Sequence, residues 1–296
     1  MKYIFSRIII LTLLLVFLPG ALCALDATIL INGGNLGFKT DRKQTNTDYD
    51  GMKPLFDGSI AFEQKFSEDM GLSLTFSRDP ILRNVSSTTF YYQNPFFTVG
   101  AGPFFGFFNS TSTLLKSGIS TQVKIQYPGL AYLQFMTDSS IGGRLVETGD
   151  YLQEQSKISF GFYVPHAICS LNIHTKKFTQ KLSDKEVVDS LTRYTFDSDL
   201  FQKYIPYRIL LSFGFQRLDK RYIADSTVKH TLNTIVVGTE LHVDIAHYGE
   251  AIFDIDSSVY TFGQNELLGI TNPGPFEYLF KATLGVSLKT DKLLQQ

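Results

Sequence analysis

Apolar and polar residues alternate with a period of two along most of the chain. Phe56, Gly58, Ile60, Phe62 and Phe66 are set against Asp57, Ser59, Ala61, Glu63 and Lys65. Leu115, Ile119, Val123, Ile125 and Tyr127 are set against Lys116, Gly118, Ser120, Gln122, Lys124 and Gln126. The pattern returns at 152–164, 205–216, 234–245 and 277–289. Successive side chains of an extended chain point to opposite faces, so each run predicts a strand with one apolar and one polar face. The runs span roughly 10–14 residues, against about 5–6 for an ordinary soluble strand. A tilted strand that crosses a bilayer needs about 9–11.

Short turns are expected at Ser67–Gly71, Asn94-Pro95, Tyr127-Pro128-Gly129, Val164-Pro165-His166 and Ala246–Gly249. Longer polar stretches separate the other strand pairs: Lys39–Pro54, Pro80–Ser87, Asn109–Leu114, Ser139–Asp150, Lys176–Thr192, Arg217–Lys229 and Thr261–Pro275. Both termini then fall on the short-turn side, which requires an even strand number. Thirteen clear strands and a weak one near Thr192–Phe196 give an all-β, antiparallel up-and-down transmembrane barrel of about fourteen strands. Twelve is the alternative. Tyrosines near strand ends (Tyr91, Tyr92, Tyr127, Tyr163, Tyr204, Tyr248, Tyr260, Tyr278) are expected to form an interfacial girdle.

The N-terminus reads as an address. Lys2 and Arg7 precede an apolar run from Ile8 to Leu18, and Pro19-Gly20 and Ala21-Leu22-Cys23 follow. That core is too short to span a bilayer and matches a secretory signal peptide over 1–23, leaving one domain over 24–296. Lipidation of Cys23 is the rival reading. Cleavage would leave 25 basic and 28 acidic residues and one cysteine, Cys169, so neither a basic nucleic-acid surface nor a disulfide framework is expected.

In this pattern the chain resembles bacterial outer-membrane β-barrel proteins over nearly all of 25–290. The resemblance implies an outer-membrane location, contact with outer-membrane lipid and with the barrel-assembly machinery, and small solutes or ions as cargo. The usual terminal aromatic is absent, because the chain ends Lys292-Leu293-Leu294-Gln295-Gln296. Size and strand number are similar to those of small porins. They are also similar to fatty-acid transporter barrels, whose Asn-Pro-Ala element this sequence lacks.

The polar faces carry the candidate chemistry. Lys65, Lys116, Lys124, Lys157, Arg208 and Lys281 share them with Asp57, Glu63, Glu240, Asp244 and Glu277. A water-filled channel needs such a lining, and opposed charged walls select ions. Lys116, Lys124, Lys157, Arg208, Glu240, His242 and Asp244 are the expected pore-lining set. Glu240, His242 and Asp244 share one strand face, with Glu250, Asp254 and Asp256 beyond the turn. The cluster could form a cation-attracting mouth or a divalent-ion site, but an ion-paired wall is the simpler reading, and no metal site or cofactor is expected from its spacing. Phe90–Phe108 is uncharged, and Gly100, Gly102 and Pro103 interrupt it, predicting a kink in the wall. Such a kink would suit lateral exit of a hydrophobic ligand, the alternative to a hydrophilic pore. A structural or adhesive barrel acting through its loops is a third reading. No catalytic constellation is present: His166-Ala-Ile-Cys-Ser and His230-Thr-Leu-Asn match no hydrolase element, and enzyme activity is not expected.

Overall fold

The computed structural model describes residues 25–34, 55–108, 114–140, 145, 147–201, 206–223, 227–246, 249–262 and 280–289. Residues 1–23, where a signal peptide is expected, with Cys23, the stretches 39–54 and 263–275, and Tyr204, Tyr248, Glu277 and Tyr278 lie outside the described residues.

Fourteen strands form one closed antiparallel barrel: β1 (Leu25–Gly34), β2 (Leu55–Lys65), β3 (Met70–Asp79), β4 (Arg83–Gln93), β5 (Phe97–Phe107), β6 (Leu115–Tyr127), β7 (Ala131–Ser140), β8 (Tyr151–Val164), β9 (Ala167–Lys181), β10 (Glu186–Phe201), β11 (Tyr207–Ile223), β12 (Thr227–Ala246), β13 (Gly249–Phe262) and β14 (Phe280–Lys289). Each strand pairs with its sequence neighbours, and β1 closes on β14 through partners such as Thr28 and Ser287. Closure leaves neither β1 nor β14 as a free sheet edge.

The end where β1 begins and β14 finishes has tight turns. At Tyr127-Pro128-Gly129-Leu130 the Leu130 amide donates to the Tyr127 carbonyl (3.0 Å), with Gly129 at φ +73°. Proline followed by a left-handed glycine is the chemistry of a type II turn. Asn94 Oδ1 accepts the amides of Phe96 (2.8 Å) and Phe97 (2.9 Å) and so closes the next turn along the wall.

At the far end the polar stretches behave differently from expectation. Lys176–Thr192 and Arg217–Lys229 are mostly strand, joined by short connections between β9 and β10 and between β11 and β12. These four strands run 15, 16, 17 and 20 residues, so one side of the barrel stands higher than the rest. Pro80–Ser87 is likewise a three-residue turn followed by β4.

The outer face is apolar up to a sharp boundary. One row of register partners reads Ile158, Ile173, Tyr194, Phe215, Ile235 and Tyr260 around β8–β13. The next row toward the far end reads Ser156, Thr175, Thr192, Arg217 and Asn233. Below the boundary, large apolar side chains face outward around the wall and stay exposed, among them Phe213 (58%), Leu284 (62%) and Ile31 (63%). A continuous exposed belt of this kind is the surface that hydrocarbon solvates.

Of the expected girdle tyrosines, Tyr92, Tyr127 and Tyr260 lie on the exposed outer face. Tyr91 and Tyr163 do not: their register turns them inward, and Tyr91 donates its hydroxyl to Glu63 Oε1 (2.6 Å). A tyrosine one residue out of phase with the apolar row necessarily faces the lumen.

Candidate lumen site

The inner face divides into three sectors. From β1 to β5 small side chains line it, among them Thr28, Ser59, Ala61, Ser73, Thr75, Ser87, Thr89, Gly100 and Gly102, together with the charged Asp26, Asp57, Glu63, Lys65 and Asp79. From β6 to β9 the register places Lys116, Lys124, Lys157 and Lys176 inward. From β10 to β13 it places Asp189, Asp197, Asp199, Glu240, Asp244, Glu250, Asp254 and Asp256 inward, with Arg193 and Arg208 among them. All seven residues of the expected pore-lining set therefore stand on the inner face.

The carboxylate wall is largely tied up in hydrogen bonds and ion pairs. Arg193 forks onto Asp256, with Nη1 2.9 Å from Oδ2 and Nη2 2.6 Å from Oδ1. Lys281 stands 3.5 Å from both Asp254 and Asp256. Asp197 accepts from Asn172 Nδ2 (2.8 Å) and Ser212 Oγ (2.7 Å), and Asp199 pairs with Arg208 Nε (3.3 Å). His242 lies between two carboxylates, with Nδ1 2.8 Å from Glu250 and Nε2 against Glu240. A ring protonated on both nitrogens satisfies both. Arg208 Nη2 sits 3.3 Å from the same Nε2, so a guanidinium occupies the side from which a cation would approach. Among the described residues no three side chains are grouped to hold a metal ion. Asp254 stands opposite Glu240, whereas Asp256 falls opposite Gly238, within reach of Arg193.

Toward the far end the lumen is bridged. The β3–β4 turn, Pro80-Ile81-Leu82, points its apolar residues inward, leaving Ile81 2% and Leu82 1% exposed. Ile81 packs with Tyr151, Phe178 and Leu218 from β8, β9 and β11, and Leu82 packs with Val85 and Phe104. Asp79 holds the turn from within, its Oδ1 accepting the amides of Ile81 (2.8 Å) and Leu82 (2.9 Å). Its other oxygen meets Lys176 Nζ from β9. Arg83 Nη2 reaches Asp189 on β10 (3.3 Å), its Nη1 returns to the Pro80 carbonyl (2.9 Å), and Lys220 approaches Asp189 from β11 (3.8 Å). Gln153 Nε2 donates to the Leu82 carbonyl. β3 to β9 and β4 to β10 are each six strands apart in a ring of fourteen, one short of diametric.

Arg83 adopts a left-handed backbone (φ +69°), costly for a residue with a β-carbon and sustained here by these contacts. The fully buried Tyr151 braces the same end. Its hydroxyl lies 2.9 Å from the Gly106 carbonyl and 3.0 Å from that of Leu114, and accepts the Phe108 amide (3.2 Å). Lys116 pairs with Asp150 at 2.7 Å beside it.

Midway along the barrel the crowding relaxes. The register row Gly100, Gln122, Met136, Lys157 crosses β5 to β8, and Lys157 is exposed while Met136 keeps 39% of its surface free. One row below, Lys124 places its ammonium 4.8 Å from the Tyr132 ring centre. Gly100 and Gly102 contribute no side chain on this face, and Pro103 points outward beside Ile119. Pairing between β4 and β5 lapses at Thr88 and Thr89 opposite Pro103 and Gly102, then resumes in unchanged register. Proline has no N–H to complete that ladder.

The sequence reading missed Asp79, Ile81, Leu82, Lys176, Asp189, Arg193 and Met136. One signal was available for the turn: two branched apolar residues after Asp-Pro are out of place in a solvated loop, and such a pair indicates a buried tip.

No protein family is matched by the sequence, and no curated protein matches it. Solved structures of similar architecture include an outer membrane channel from Pseudomonas putida F1, at 7% identity and TM-score 0.48 over 90% of this chain and 95% of that one. A bacterial polysaccharide outer membrane secretin aligns at 7% identity and TM-score 0.47, covering 89% and 98%. OmpT of Vibrio cholerae aligns at 8% identity and TM-score 0.43, covering 91% and 98%. Likeness at this level extends to neither activity nor cargo.

Proposed function

We propose that this chain is an integral outer-membrane barrel that passes small hydrophilic solutes, and that the β3–β4 turn closes its outer end. The observation that carries the reading is the pairing of an apolar outer belt with an inner face of lysines, carboxylates and hydroxyls. Apolar walls would line the path of a hydrophobic cargo, whereas these side chains hold water and ions. β1 begins and β14 finishes at the tight-turn end, which becomes the periplasmic end, and the tall β9–β12 wall then stands outside the cell. Passage is by diffusion along the small-residue wall of β1–β5, opposite the lysines of β6–β9. The Ile81-Leu82 tip must withdraw for a solute to leave at the far end.

Planar-bilayer conductance of the refolded protein (24–296) tests this, comparing wild type with Ile81→Gly/Leu82→Gly. The wild type should be nearly silent and the variant should show discrete steps that scale with salt. If the variant inserts and stays silent, the channel reading fails. Equal steps from both proteins would uphold the channel and reject the turn as its closure.

A further inference from the structure

The two charged walls are not equally available to a solute. On β10–β13, Asp197 holds two neutral donors, Asp199 meets Arg208, Glu240 and Glu250 share His242, and Asp254 and Asp256 meet Lys281 and Arg193; Asp244, exposed near the end of β12, stands outside these contacts. At the plug, Asp79 and Asp189 are consumed by Lys176, Arg83 and Lys220. On the opposite wall Lys157 stands exposed between Met136 and His174, and among the described residues it forms no ion pair, while Lys124 lies against the face of Tyr132. The one inward carboxylate on β6–β9, Asp138, lies beyond Met136 and accepts from Gln155 Nε2 (2.5 Å). Gln122 and Gln134 add amide donors from the rows of Lys157 and Lys124, and Gly100, with no β-carbon, lets the Gln122 side chain lie close against the wall.

We infer that this mid-barrel chamber, built on Lys157 and Lys124 with Gln122 and Gln134, is a binding subsite for small anions bearing a carboxylate or phosphate. The inference rests on the channel reading and names its substrate class. An ammonium in a confined aqueous lumen attracts an anion by direct Coulomb interaction, and neighbouring amides supply the hydrogen bonds. Exposed Met136 offers an apolar contact for the carbon skeleton of such a solute.

Reversal potentials in a potassium chloride gradient, read on the Ile81→Gly/Leu82→Gly background, test the inference. Chloride should be preferred over potassium. Lys157→Gln should lower that preference about fourfold, the Boltzmann weight of one unit charge met at about 5 Å in water. Lys157→Glu should invert it, while Lys177→Glu, the same charge change on the outer wall, should leave it unmoved. Block of the chloride current by inorganic phosphate or by succinate separates the two anion classes. Steps that are cation-selective, or indifferent to Lys157→Glu, overturn the subsite and leave the channel standing. Absence of steps sinks the channel instead. Calorimetric titration of phosphate and succinate into the wild-type barrel in detergent then decides the subsite: heat that Lys157→Glu abolishes supports it, and no heat from either anion overturns it.

Discussion

Arg193 and Asp256 show what one pair of residues does inside this barrel. Asp256 is buried and Arg193 partly so, at 8% and 19% exposure, and they join β10 to β13 across two intervening strands. Taking Arg193 away leaves the buried Asp256 with Lys281 at 3.5 Å as its one charged partner, at a cost of up to about 3–5 kcal/mol, whereas replacing both with apolar residues of similar volume is nearly neutral. Arg193→Ala should therefore lower the stability of the refolded barrel by that amount, and Arg193→Met/Asp256→Leu should restore most of it. Urea unfolding in phospholipid vesicles, followed by tyrosine fluorescence, measures both. An undiminished Arg193→Ala barrel would mean that the pair is solvated and contributes nothing. Gly106 makes a complementary point about space. A β-carbon there would lie 1.4 Å from Gln153 Oε1, so only a glycine admits the side chain that ties Leu82 to β8. Gly106→Ala should still fold, because the end of Gln153 can swing aside. It should then raise the conductance of the otherwise silent wild type toward that of the Ile81→Gly/Leu82→Gly variant.

At the scale of the strand, depth decides the effect of a change. Phe213 belongs to the exposed apolar belt of β11, while Thr192 on β10 sits in the first polar row above it. Phe213→Arg should cost about 2–4 kcal/mol and Thr192→Arg about 0–1 kcal/mol if the belt spans the hydrocarbon core. Vesicle unfolding titrations of the two variants compare these costs, and equal values would refute the assigned boundary. The same boundary explains which strands the sequence made visible. Within the belt, lipid selects apolar residues at every second position, so β6, β8 and β14 were legible from alternation alone. Above it, water solvates both faces and alternation disappears, so the upper parts of β9–β12 look like polar loops. β10 was the weakest strand for this reason: beyond Tyr194, Thr192 and Ser190 take the place of apolar residues on its outer face. The charged lumen residues were readable because their phase was fixed by the apolar face. Their partners were not, since Lys176–Asp79 and Arg83–Asp189 are set by closure of the barrel across its interior and not by local sequence.

For the molecule as a whole, the arrangement makes the two ends of the lumen unequal. Ile81 and Leu82 are buried among Tyr151, Phe178, Leu218, Val85 and Phe104, and each buried side chain of this size contributes about 1.5–3 kcal/mol. Three polar ties, Asp79 to Lys176, Arg83 to Asp189, and Gln153 to Leu82, add to that hold. A turn secured by several kcal/mol remains closed in nearly every molecule, while Lys157 and Met136 stay exposed beneath it. A thiol placed at Met136, in a Cys169→Ser background so that it is the only cysteine, should thus react with a charged, membrane-impermeant methanethiosulfonate supplied from the tight-turn end. The same reagent supplied from the far end should fail. Adding Asp79→Ala removes the acceptor of both turn amides together with the partner of Lys176. Labelling from the far end should then rise toward the rate from the tight-turn end. Asp79→Asn keeps the amide acceptor and loses only the ion pair, so its rate should fall between the two. Oriented proteoliposomes with the reagent confined to one side provide the measurement. Labelling of the Met136→Cys protein at equal rates from both sides would show that the turn leaves the lumen open.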